Sequence, residues 1–186
     1  MTRPSRPGRR LRIVLWTIIG LIALAGAWLT RGGTRWPSVY YMTGPSMEPT
    51  IAAEQYFLAW SPPGDLHRGD LVIFRFVDEE EVFHVLRRLA GLPGDTVGME
   101  DGVVVLNGAR QPWPHQILAP AASWSALALT RNLFTWGPWI VPRDSVLLLA
   151  DTRDMLGWPD SRFIGFVPQE HVIARATRRV TGQPLR

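Results

Sequence analysis

Ser46 is the residue whose surroundings first suggest chemistry. It lies in Thr43-Gly44-Pro45-Ser46-Met47-Glu48-Pro49-Thr50. A serine in a Gly/Pro turn is most often a turn residue. Here Pro45 and Pro49 restrict the backbone on both sides, which would present a hydroxyl and neighbouring N–H groups at a fixed place. Three further segments carry charge beside turns. Arg68-Gly69-Asp70-Leu71-Val72 reads as a turn entering a strand. In Arg87-Arg88-Leu89-Ala90-Gly91-Leu92-Pro93-Gly94-Asp95, the glycines around Pro93 allow a sharp reversal at a strand end. Asp151-Thr152-Arg153-Asp154 and Asp160-Ser161-Arg162 alternate acid with arginine, a pattern suited to buried ion pairs that position a site. His67, His84, His115 and His171 are scattered, and no metal-ligand spacing is found. The absence of cysteine removes thiolate chemistry and disulfides.

The elements that must hold these residues begin with a hydrophobic segment. Ile13–Thr30 runs through IVLWTIIGLIALAGAWLT without a charge. As a helix it spans about 27 Å, close to the hydrocarbon core of a bilayer. Arg3, Arg6, Arg9, Arg10 and Arg12 precede it. They act as a topology signal that keeps 1–12 cytoplasmic; no aromatic-interleaved basic motif indicates nucleic acid. Ala25-Gly26-Ala27 also resembles a cleavage site, but the apolar run continues through Trp28 and Leu29, which favours an uncleaved anchor. The expected organisation is a cytoplasmic tail at 1–12, a transmembrane anchor at 13–30, a linker at 31–37 and an exported domain at 38–186.

Within that domain the texture is β. Apolar runs at Val39–Met42 and Tyr56–Trp60 are short. Leu71–Val77, Glu81–Ala90 and Ser145–Ala150 are rich in strand formers. Thr96–Met99 and Val103–Leu106 flank Asp101-Gly102, a hairpin signal. Residues 109–142 carry many Pro and Trp residues and read as an irregular insertion, with one helical turn near Ser123–Leu129. Hydrophobic residues make up 46% and charged residues 19%, so the domain is globular. The nine tryptophans suit surfaces with one apolar and one wet side. Trp136 and Trp139 are candidates for lying against the bilayer. The net charge is +4, and every basic residue other than histidine is arginine.

Taken in order, GPSMEPT at 44–50, RGDLVIF at 68–74, RRLAGLPGD at 87–95, and DTRD with DSRFIGFVP at 151–168 resemble the type I signal peptidase family, including its conjugation-type relatives. The resemblance covers roughly 38–180. It implies a mainly β fold of two antiparallel sheets preceded by one N-terminal transmembrane helix. It also implies a single-pass protein of the inner or plasma membrane, N-terminus inside and main domain outside. Its activity would be cleavage of signal peptides from exported preproteins, with small residues at −1 and −3, beside the lipid bilayer and without a cofactor or nucleic acid.

By the same resemblance Ser46 is the nucleophile and its backbone N–H helps hold the oxyanion. The position at which many members carry a second, hydroxyl donor is Gly44, which has none. Arg88, Asp151, Asp160 and Arg162 support the site. The family's general base is a neutral lysine, and Arg87 occupies that position. A guanidinium keeps its proton at neutral pH. The family's lysine-orienting serine is also missing, because the gap Met155–Pro159 contains none and is about two residues longer than usual. His84 is an alternative base, since a branch of the family uses histidine. Its odd offset from Arg87 places the two on opposite faces of a regular strand, about 10 Å apart, so a bulge would be required. Asp154 and Asp160 are further alternatives, more readily explained as partners of Arg88 or Arg162. The sequence therefore supports a signal-peptidase-type serine endopeptidase with an altered base; the competing reading is a non-catalytic relative that binds signal peptides or secreted partners.

Overall fold

Alternating and doubly apolar strand segments need sheets that cover one another, and the chain builds two. The computed structural model describes residues 9–31, 36–111, 113, 133–152 and 159–185. The chain divides into two units, Met1–Arg35 and Trp36–Arg186. The first contains helix α1, Arg9–Arg31, which is longer at both ends than the apolar run alone predicts. Among the described residues, no helix is long and apolar enough to cross a membrane.

The second unit is mainly β. Its larger sheet takes seven strands: β1 (Trp36–Tyr41), β2 (Tyr56–Ser61), β3 (Leu71–Asp78), β4 (Glu81–Gly91), β9 (Ser145–Leu149), β10 (Val167–Pro168) and β11 (Val172–Arg179). Their order is β1-β2-β11-β3-β4-β9-β10. The smaller sheet contains β5 (Thr96–Glu100), β6 (Val103–Leu106), β7 (Ala109–Arg110) and β8 (Trp136–Ile140), ordered β7-β6-β5-β8. Every pairing is antiparallel. A one-turn helix α2, Ser161–Ile164, lies before β10.

The β3–β4 hairpin carries the site and changes character along its length. Near the tip, Val77, Val82 and Phe83 are exposed; at the base, Leu71–Phe74 and Leu86–Gly91 are buried. Its register is regular from Asp78↔Glu81 to Leu71↔Arg88. The only shift in β4 is between Leu89 and Gly91, where it pairs with β9. Gly91 is needed there because a Cβ would come within 2.6 Å of Val97 Cγ2. The Asp101-Gly102 turn joins β5 to β6, with φ of 50° and 80°, the left-handed pair that a two-residue hairpin requires.

Two expectations change. Trp36 and Pro37 belong to β1 rather than to a linker. The stretch 109–142 begins with β7 and contains β8, so it is not irregular throughout; the turn expected at Ser123–Leu129 lies outside the described residues. β11 lacked a bulky apolar run to announce it. It alternates Val172, Ala174 and Ala176 inward, and small residues suffice because two strands flank it.

Candidate active site

Ser46 is set by a 3-10 turn, Pro45–Met47, that follows the extended Gly44. Proline at the first position fixes φ where no N–H is needed. The early N–H groups of such a turn have no partner inside it. Met47 and Ile51 anchor the segment with no exposed surface, packed with Phe57, Leu71 and Leu86. The Glu48 N–H donates to Pro45 O (3.0 Å), and the Ile51 N–H to Met47 O (2.9 Å). Thr152 ties the turn from the other side. Its N–H donates to Ser46 O (3.1 Å), and its hydroxyl lies 2.9 Å from Pro45 O and 3.2 Å from Glu48 O. Ser46 is itself only 1% exposed.

Arg87 reaches Ser46 directly. Its Nη1 donates to Ser46 Oγ at 3.2 Å and also to the carbonyl of Leu86, while Nε donates to Pro159 O at 2.9 Å. Nη2 is buried without a hydrogen-bond partner. Burial pushes the Arg87 pKa down to about 10, against the nearby negative charge of Asp160. Arg87 is therefore still a cation at neutral pH, and the serine hydroxyl is its acceptor.

Two buried ion pairs frame this contact. Arg88 holds Asp151 with two bonds of 2.7 Å, and also donates to Thr50 Oγ1 (2.9 Å) and Gly69 O (2.8 Å). Thr50 completes the loop by donating to Asp151 Oδ2 at 2.6 Å. Asp160 caps α2 by accepting from the Arg162 N–H, pairs with the Arg162 side chain at 2.7 Å, and accepts from the Ala150 N–H at 3.1 Å. Burial opposes the charge on Asp160, but Arg162 and these hydrogen bonds prevail and hold its pKa below the usual value. Ser161 Oγ accepts from the Leu148 N–H at 2.9 Å, fixing α2 to β9. Asp154 lies outside the described residues, as do all but Pro159 of the segment Met155–Pro159.

A cavity of about 180 Å³ adjoins Ser46 and Arg87, lined by Tyr40, Met42, Phe57, Ile73 and His84 among others. Tyr40 of β1 approaches His84 of β4, ring centroids 6.3 Å apart, although three strands separate them in the sheet. The sheet thus curls, and the cavity is the gap between its curled parts. His84 is exposed and β4 is unbulged between His84 and Arg87, and both residues line the cavity. Val85 and Leu86 line the cavity too, so shared lining does not put His84 and Arg87 on one face; Arg87 Nη1 donates to Leu86 O on its own strand. His67 is close to Asp70 at 3.7 Å, and His171 ends a 3-10 turn; neither lines this cavity. Among the described residues no cluster could hold a metal ion.

The GLPGD turn is held by Asp95. Arg68 donates to both of its oxygens (2.8 and 2.7 Å), and Asn107 (2.9 Å) and the Leu92 N–H (2.8 Å) donate as well. The Arg68 hydrogen bonds are the main reason its pKa falls to about 2. Thr50, Thr152 and the Pro159 carbonyl were not singled out from sequence. Thr50 and Thr152 lie inside the motif blocks, so their positions were visible although their bonding was not.

The family model described as signal peptidase, peptidase S26, matches residues 12–181. A signal peptidase I from Leptolyngbya laminosa is 31% identical over 153 residues, which is 75% of this chain and 66% of that protein. A probable signal peptidase I-2 from Synechocystis sp. is 33% identical, over 73% of this chain and 59% of that protein. Signal peptidase I P from Bacillus subtilis subsp. natto is 34% identical, over 78% and 77%. The chain thus spans slightly under two thirds of the length of the first two relatives.

Proposed function

This chain belongs to the signal peptidase, peptidase S26, family, and we propose that it removes signal peptides from exported preproteins with Ser46 as nucleophile. The observation that carries the reading is the contact of Ser46 Oγ with the side chain at the family's base position, Arg87, beside a small apolar cavity. The edge position of β1 supports it, because an edge strand can add an extended peptide through its free N–H and C=O groups. In this mechanism Oγ attacks the peptide carbonyl, the Ser46 N–H receives the developing oxyanion, and Gly44 supplies no hydroxyl. The Ser46 proton goes to the small neutral fraction of Arg87 or to His84. With a pKa of about 10, roughly one Arg87 in a thousand is neutral at pH 7, so turnover is slow there. Arg88, Asp151, Asp160 and Arg162 serve as the supporting frame.

We further propose that Ile13–Thr30 of α1 spans the inner or plasma membrane, leaving 1–12 cytoplasmic and placing 38–186 outside. Trp136 and Trp139, stacked at 4.4 Å, with the exposed Ile140 beside them, then form a face that meets lipid. Quencher-labelled lipids should dim these indoles; no quenching beyond the anchor rejects that contact.

One observation favours a second reading, binding without cleavage. The Arg87 cation donates to Ser46 Oγ, whereas a base would accept from it. The deciding experiment is cleavage of a preprotein with an Ala-x-Ala site by the full chain in vesicles. Cleavage that is lost in Ser46→Ala establishes the peptidase, and added loss in His84→Ala assigns the base to His84. No cleavage by the folded wild-type chain from pH 7 to 10 favours the binding reading.

A further inference from the structure

We propose that the cavity beside Ser46 holds the C-terminal carboxylate of an extended peptide, with Arg87 as its counter-charge. This rests on the reading that an extended peptide enters the cavity, and adds which chemical end of it is held.

The first support is the distribution of charge. Three buried arginines, Arg87, Arg88 and Arg162, share the site with two buried aspartates, Asp151 and Asp160. Each aspartate is closed on its own arginine at 2.7 Å, Arg88 for Asp151 and Arg162 for Asp160. Arg87 is hydrogen-bonded only to neutral acceptors: Leu86 O, Pro159 O and Ser46 Oγ. Among the described residues, the site therefore carries one buried cation without a paired anion.

The second support is an unused donor. Arg87 Nη2 is buried with no hydrogen-bond partner among the described residues, while the Nη1 of the same fork already points to the serine hydroxyl. A planar guanidinium with donors on neighbouring nitrogens matches the two oxygens of a carboxylate. Ser46 Oγ must rotate off Nη1 for the second oxygen to engage. The apolar lining by Tyr40, Met42, Phe57 and Ile73 then surrounds the terminal side chains. The cavity measures about 180 Å³. An uncut peptide offers a neutral carbonyl at this point; a cut one offers a full negative charge. The preferred ligand is thus a peptide with a free C-terminal carboxylate, such as a released signal peptide.

The test uses the full chain in detergent micelles and a fluorescent peptide ending Ala-Gln-Ala, prepared as the free acid and as the C-terminal amide. Binding is read by anisotropy. The acid should bind about tenfold tighter than the amide or better, as a charge-assisted fork requires. Arg87→Gln should erase the difference, and Arg87→Lys should retain part of it. The wild-type comparison stands alone should Arg87→Gln fail to fold. Equal affinity for acid and amide, or a preference that survives Arg87→Gln, overturns the inference while leaving the peptide-binding reading intact. Binding of neither peptide overturns both.

Discussion

A serine hydroxyl becomes a nucleophile only when its proton has an acceptor. Ser46 has a cation 3.2 Å away instead. If Arg87 is the base, the cleavage rate should climb about tenfold per pH unit from neutral towards pH 10, because only the deprotonated side chain can act. A flat profile excludes Arg87. Arg87→Lys should raise cleavage at pH 8 by about 100-fold or more, since burial lowers a lysine into the working range. At the supporting pairs, Asp151→Ala leaves Arg88 buried without its anion. The expected loss is about 3–5 kcal/mol, measured by thermal or denaturant unfolding. The substitution at 87 and the serine at 46 were legible as residue types. The bond of the Arg87 guanidinium to Leu86 O was not, because strand parity says where a Cβ points and not where a long flexible side chain ends.

The hairpin of β3 and β4 delivers Arg87 and Arg88 to the site, and turns at its base fix its position. Asp95 ties two of those turns through Arg68 and the Leu92 N–H. Its folded pKa of about 2 is below the value near 3.9 of an unfolded chain. The resulting stability is complete above about pH 4 and is lost as pH falls through 2. Allowing for the half-exposed Arg68, it amounts to about 1–2 kcal/mol. Asp95→Asn should lower the melting temperature at pH 7 and flatten its decline between pH 4 and 2; an unchanged slope would show that Asp95 has no such role. Strands with dense β-branched residues, and the hairpin at Asp101-Gly102, were legible because their signals are local. β8 was hidden by Gly137 and Pro138, residues that strand interiors rarely carry. β11 was hidden by alanines, whose burial depends on neighbours distant in sequence. The glycine-rich corner at 91–95 was legible as a reversal, but not its reason, the close approach of Val97 to Gly91.

At the scale of the molecule, Trp36–Arg186 contains its own apolar clusters on both sheets. Residues 36–186 produced alone should therefore show β-type circular dichroism and a cooperative melt. A non-cooperative transition would mean that the first 35 residues are needed for folding. The division of labour between helix and β unit was legible from one change in texture near residue 36. The curl that brings Tyr40 to His84 was not, since it depends on the twist accumulated over strands that are not sequence neighbours. The strand order also sets a schedule for biogenesis. β11 lies between β2 and β3, so it joins the two halves of the larger sheet, yet it is translated after every other described strand of that sheet. The two halves are not joined by a strand until β11 is in place. Until then the β1–β2 portion, which carries the serine turn, has no strand joining it to the β3–β4 hairpin, which carries Arg87. A chain in which β11 is not yet in place thus carries Ser46 and Arg87 on two parts of the sheet with no strand between them.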